Sequence, residues 1–163
     1  MIERDELLRL IRRDHRELEM SLMELVATDL SPRQRRTILD GVRLGLESHG
    51  AAEDIVVYSA FARIPTTPAL QCLIEQARVA HAEMDGMLAN LLSTPMSSPE
   101  WIEHVHMLRL RAEAHAAREE NDLMPVLKAA LAPELYRALA GAFATERLRQ
   151  LSTLQPSAPI TMP

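Results

Sequence analysis

His115-Ala116-Ala117-Arg118-Glu119-Glu120 repeats an arrangement already present 66 residues earlier, His49-Gly50-Ala51-Ala52-Glu53-Asp54. Each is a His-x-x-x-Glu pair followed by a second acid. On an α-helix a residue turns about 100° and rises about 1.5 Å, so the two members of each pair lie about 40° apart on one face and about 6 Å along the axis. An imidazole and a carboxylate so placed can ligate the same metal centre. His15 precedes His49 by 34 residues, and His81 precedes His115 by the same number. The chain therefore reads as two copies of one unit, a single histidine on one helix and His-x-x-x-Glu on the next.

Working outward, the flanking residues supply the helices. Apolar positions Leu7, Leu8, Ile11, Leu18, Leu22 and Leu25 recur at helical spacing, predicting a first helix from about residue 3 to 27. Ser31-Pro32 with Gln34 reads as an N-cap, a first-turn proline and a capping box. The second helix is expected to reach about Arg63, with Gly41, Gly45 and Gly50 inside it. Thr67-Pro68 starts a third helix through Leu91, and Ser98-Pro99 starts a fourth that runs to about Asp122. Pro125 is expected to kink or end that helix, with a short helical turn to Leu131. Ala132-Pro133 opens a last helix to about Leu151. The fold class is all-α: an up-down-up-down four-helix bundle with a short fifth C-terminal helix. One domain spans 1–151, and the proline-rich segment 152–163 is expected to be disordered.

Composition agrees and removes other classes. A chain of 163 residues suits one domain. Only 3% of residues are aromatic, which disfavours sheets. A formal charge of −5 and a pI near 5.7 give nucleic-acid binding no electrostatic support. The single cysteine, Cys72, cannot form an internal disulfide, as expected in a reducing cytoplasm. The first fifteen residues are too charged for a secretory signal, and no apolar run is long enough to span a membrane.

Each of the four histidines shares its helix face with apolar residues: His15 with Leu8 and Leu22, His49 with Val42 and Leu46, His81 with Ile74 and Leu88, His115 with Leu108. Counted from the predicted turns, all four fall at about one level of the bundle. One histidine on an apolar face is ordinarily a hydrogen-bonded core residue. Four at one level with two glutamates, in a core where unpaired polar groups are costly, point to a metal. Four imidazoles and two carboxylates suit iron or manganese better than a thiolate-preferring ion. Six ligands exceed the four that zinc favours, leaving two ions or one octahedral ion, and the repeat favours two.

The run His15, His49-x-x-x-Glu53, His81, His115-x-x-x-Glu119 resembles the hemerythrin-like, or HHE cation-binding, family. The words Asp14-His15-Arg16, His81-Ala-Glu-Met-Asp85 and the segment from His115 to Pro125 fit as well, so the resemblance covers about residues 5–130. It implies two iron ions joined by an oxo or hydroxo bridge and by Glu53 and Glu119, with terminal histidines. The implied partner is a small ligand, O2, NO or a peroxide. Two features depart from the oxygen carriers of the family: these have a second histidine four residues after the one matching His81, where this chain has Asp85, and a longer gap before the second carboxylate, where Glu119 follows His115 by four. Asp85 could ligate, leave room for water or hydrogen-bond a ligand, and Glu19 stands at the same offset from His15. Whether the chain is an enzyme stays open. Binding or sensing of O2 or NO is the leading expectation; peroxide decomposition, iron buffering and a purely helical interaction module are the rivals.

Several other residues are expected to lie outside the site. His104 reads as a polar residue near a bundle end, His106 as solvent-facing, and Trp101 as a core cap. Tyr58 should lie about 180° around the helix from His49. Glu120 and Asp54 should belong to the solvated face, with contact to a metal ligand as the alternative. The nine methionines are scattered, as core filling requires.

Overall fold

The structure, a computed structural model, describes residues 5–27 and 29–154. Asp5 begins the first helix, α1 (Glu6–Leu25), its side chain accepting from the Leu8 N–H. Ser31 caps α2 (Pro32–Ala52) through the reciprocal bonds with Gln34 that the sequence predicts. Thr67 accepts from Leu70 N at the start of α3 (Pro68–Ser93). Ser98 and Pro99 open α4 (Pro99–Arg118), though without a side-chain cap bond. Two further helices follow, α5 (Met124–Ala130) and α6 (Pro133–Thr153). The expectation of disorder for the tail falls largely on 155–163, outside the described residues; Ser152 and Thr153 are the last turn of α6.

Short connections make successive long helices antiparallel. α1 packs on α2 and α4, and α3 packs chiefly on α4 and also on α2, which closes a four-helix ring. α6 lies against α1 and α2. The apolar interior is split in two. One cluster gathers Leu7, Ile11, Val57, Phe61, Leu127 and Phe143. The other gathers Leu22, Leu39, Leu46, Leu88, Trp101 and Leu108 at the opposite end. The histidines occur in sequence between these clusters on each of the four bundle helices: His15 between Ile11 and Leu22, His49 between Leu46 and Ala52, His81 between Ala77 and Met84, His115 between Leu108 and Leu123. A polar layer crosses the middle of the bundle.

Two helices change geometry at that layer. α2 gives way at Glu53 to a π-helical segment, Glu53–Tyr58, followed by a 3-10 turn, Phe61–Arg63. α4 gives way at Glu119 to a second π-helical segment, Glu119–Leu123. The glutamate of each His-x-x-x-Glu pair is thus the first residue of a π segment. A π turn holds one extra residue, so every side chain beyond it is displaced by about 100° relative to a continuous α-helix. The same change explains Pro125. The Met124 N–H reaches back to Glu119 O, closing the π turn, and Pro125 then sits in the first turn of α5. There its missing N–H costs nothing, so the chain stays helical instead of stopping. A β-carbon on Gly41 or Gly45 would meet no atom within 4 Å, so neither glycine serves a close helix contact; one on Gly50 would lie 3.6 Å from His81 Nδ1.

Candidate metal centre

His15, His49, His81 and His115 are all buried, and Glu53 and Glu119 are 0% and 1% exposed. Their Nε2 atoms face one another across the layer. His49 Nε2 lies 3.1 Å from His15 Nε2, and His81 Nε2 lies 3.2 Å from His115 Nε2. The two histidines of each sequence unit therefore form a pair. Glu53 stands between the pairs. Its Oε1 is 2.7 Å from His49 Nε2 and 3.9 Å from His15 Nε2; its Oε2 is 3.1 Å from His81 Nε2 and 3.7 Å from His115 Nε2. Glu119 Oε2 reaches His15 Nε2 at 3.4 Å and His115 Nε2 at 3.7 Å, touching both pairs. Ligand atoms of His15, Glu53, His115 and Glu119 all lie within 4.8 Å of one another.

All four carboxylate oxygens of Glu53 and Glu119 are buried without a hydrogen-bond partner. Several imidazole nitrogens approach them, but none in hydrogen-bonding alignment. Anions buried this way are expensive unless a cation compensates them. A layer of nitrogen and oxygen atoms converging on orphaned carboxylates fits a metal better than it fits a hydrogen-bonded core.

The outer nitrogens explain how the rings are held. His15 Nδ1 contacts Glu120 Oε1 at 2.8 Å, and Arg12 Nε bonds Glu120 Oε2 at 2.8 Å. His49 Nδ1 lies 3.3 Å from Asp14 Oδ2, and Arg147 of α6 reaches the same oxygen at 2.6 Å. An imidazole donating from Nδ1 to a carboxylate has Nε2 free for a metal, and its ring is fixed in orientation. The sequence does not place Asp14 inside, and it leaves Glu120 on the solvated face or in contact with a ligand; Glu120 takes the second position, bonding His15 from α4's end. Asp14 is covered by α6, whose docking face carries no signature in the sequence.

Tyr58 needs the clearest correction. It is buried, stacked on the His81 ring with centroids 5.4 Å apart, and its hydroxyl is 3.5 Å from His81 Nε2. The expected placement 180° from His49 assumed an unbroken α-helix, and the π segment Glu53–Tyr58 removes that premise. Asp85 behaves in the opposite way. It is exposed and lines a groove beside His81, and it is not among the side chains gathered around the two glutamates. Glu19 is only half-buried and lines a cavity at the site's edge. His104 bonds Thr94 Oγ1 at 3.1 Å near the end of the bundle, and His106 is exposed.

Charge in the metal-free chain is arranged for a cation. Burial pulls His15 down, but Glu119 and Glu120 outweigh it and raise it to about 9. Burial likewise opposes His49 and His81, yet Glu53 with Asp14, and Asp54 with Glu53, lift them to about 10. Burial acts to raise Glu53, but the charge of His49 and the neighbouring imidazoles hold it well below the usual carboxylate range. Glu119 is raised by burial and by the charge of Glu53. Protons on the imidazoles thus stand in for a metal. Their folded values lie above the ordinary 6.5, so their stabilisation is complete below pH 6.5 and is lost as pH rises through 9 to 10. The thermal midpoint of chelator-treated protein should therefore fall between pH 7 and 10, and that of metal-loaded protein should fall much less. Parallel declines would contradict this assignment.

The comparisons agree with this geometry. The family model of the hemerythrin HHE cation binding domain matches residues 6–127. The chain is 27% identical to the uncharacterized protein Rv2633c of Mycobacterium tuberculosis over 115 residues, 71% of this chain and 68% of that one. A Mycobacterium bovis protein, Mb2666c, matches to the same extent. The crystal structure of a hemerythrin HHE cation binding domain-containing protein, the Rv2633c homolog from Mycobacterium kansasii, superposes with a TM-score of 0.69, at 25% identity and over 94% of each chain. With the match spanning the four bundle helices and both His-x-x-x-Glu pairs, this chain belongs to the hemerythrin HHE cation-binding domain family.

Proposed function

We propose that this is a cytoplasmic, non-haem di-iron protein that binds or senses O2, NO or a related small oxidant. The observation that carries the reading is the position of Glu53, with one oxygen toward His15 and His49 and the other toward His81 and His115. A carboxylate so placed can join two ions, each holding two imidazoles, with Glu119 as the second link. Bound iron would supply Lewis acidity and one-electron redox chemistry. The chain supplies the rest. Asp14 and Glu120 fix the tautomers of His49 and His15, and the two apolar clusters exclude bulk water above and below the layer. A cavity of about 240 Å³ touches all four histidines. At about 30 Å³ per water it has room for a diatomic molecule or a peroxide with a few waters.

Tyr58 supports a second reading, peroxide decomposition. Burial and the charges of Glu53 and Glu119 keep its phenol protonated, so it holds a proton 3.5 Å from His81 Nε2. Two peroxides yielding two waters and one O2 need proton movement but no outside reductant. Iron-loaded protein given excess peroxide distinguishes the readings. Sustained O2 evolution that drops about tenfold or more in Tyr58→Phe, with iron content unchanged, supports turnover. A single stoichiometric reaction supports binding alone.

A further inference from the structure

We propose that divalent cations reach the buried layer through the groove between α2 and α3, by way of Glu47, Asp54 and Asp85 and past Gly50 and His81. The inference rests on the metal-binding reading above and adds a route to it.

The groove encloses about 340 Å³. Glu47 and Asp54 line one side and Asp85 the other, with His81 between them; no lysine or arginine is among the described residues lining it. At about 30 Å³ per water it has room for about eleven waters, enough for an octahedral ion that keeps its hydration shell. Arg43 engages Glu47 at 3.2 Å and Arg78 lies 3.8 Å from Asp54, both from outside this lining; three carboxylates against two guanidinium groups leave the groove net negative.

The groove and the 240 Å³ cavity at the site's edge share Leu46, Gly50, His81 and Met84 as walls. Gly50 contributes no side chain to that partition; a β-carbon there would lie 3.6 Å from the His81 ring. His81 spans the partition. Its Nε2 is 3.1 Å from Glu53 Oε2 within the layer. Its Nδ1 is buried without a hydrogen-bond partner, and Asp54 Oδ2 lies beyond hydrogen-bond reach at 3.6 Å. Histidines 15 and 49 have that nitrogen tied to a carboxylate. His81 alone of these three leaves it open toward an acidic groove. A cation attracted by Glu47 and Asp85 can exchange waters for the Asp54 carboxylate, 3.6 Å from His81 Nδ1, and then pass inward to the glutamates as the imidazole protons leave to solvent. The same placement gives Asp85 a role outside the ligand set.

The test follows cobalt(II) uptake by its visible absorption after mixing with the metal-free full-length chain at low ionic strength. Glu47→Gln/Asp85→Asn should slow uptake about tenfold and flatten its salt dependence, as loss of electrostatic steering requires. Final cobalt content should equal that of the unaltered chain. Glu113→Gln removes an exposed charge that lines the 240 Å³ cavity from α4, outside the groove, and should leave the rate unchanged. Equal rates for the double variant and the unaltered chain overturn the route alone, as does an equal slowing by Glu113→Gln. A lower final content in the double variant also overturns it, because the pair would then be ligands. An unaltered chain that takes up no cobalt overturns the metal-binding reading and the route with it.

Discussion

Glu53→Gln should lose its iron while keeping its fold. The substitution preserves shape and volume, but it removes the charge and replaces one oxygen with an amide N–H2, which cannot ligate and repels a cation. Because the two oxygens of Glu53 face different histidine pairs, at 2.7 Å from His49 and 3.1 Å from His81, both ions should be released. Altering a group that only supports a ligand costs about 10–100-fold in affinity, so loss of a bridging ligand should cost at least about 100-fold. His49→Ala and His115→Ala should also lower iron content sharply. His104→Ala should not, since its ring bonds Thr94 far from the layer. Elemental analysis of the four variants, with circular dichroism to verify folding, checks this. Equal loss in all four would mean that the site lies elsewhere.

The second large effect is on stability. Phe143→Ala should cost about 3–5 kcal/mol, as expected for an aromatic ring removed from a closed core. Phe143 is 1% exposed, and it meets the His49 ring edge-on with centroids 5.7 Å apart. It anchors α6 beside Arg147, which holds Asp14, and Tyr136, whose hydroxyl donates to Asp5 at 2.9 Å. For a chain of this length the thermal midpoint should fall by roughly 10 °C. Met20→Ala, at a side chain 68% exposed, should change stability by no more than about 0.5 kcal/mol. A Phe143→Ala midpoint within about 2 °C of the unaltered chain would mean that α6 does not belong to the cooperative unit. Because Asp14 orients His49, the account also requires Phe143→Ala to weaken metal retention.

The helix starts were legible because their chemistry is local. Ser31-Pro32-Arg-Gln34 contains its own capping box, and Thr67-Pro68 its own cap and first turn. The histidine layer was legible because a 34-residue offset occurs twice and four apolar faces agree on one level. What escaped was the change from α to π geometry at Glu53 and Glu119. An α-helical count carried past Glu53 points Tyr58 outward, and the extra residue in the π turn brings it inward. No composition signal marks the change, since Glu-Asp-Ile-Val-Val-Tyr and Glu-Glu-Asn-Asp-Leu are compatible with an ordinary helix. Pro125 was the one available hint, because a proline that does not end a helix needs altered backbone bonding before it. Asp14 was visible only as the neighbour of His15, since its burial depends on the distant Arg147. Asp85 falls at a ligand position by family spacing, and the helix face it occupies borders the α2–α3 groove beside His81.

The most direct measurement is the metal content of the purified full-length chain by elemental analysis, taken together with its absorption spectrum. The account predicts about two irons per chain and oxo-to-iron charge-transfer bands, as expected for six nitrogen and oxygen ligands shared by two ions. Fewer than about one metal per chain, in a protein that stays folded and takes up no iron when it is supplied, would contradict it: the histidine layer would then be held by its own protons and carboxylates alone.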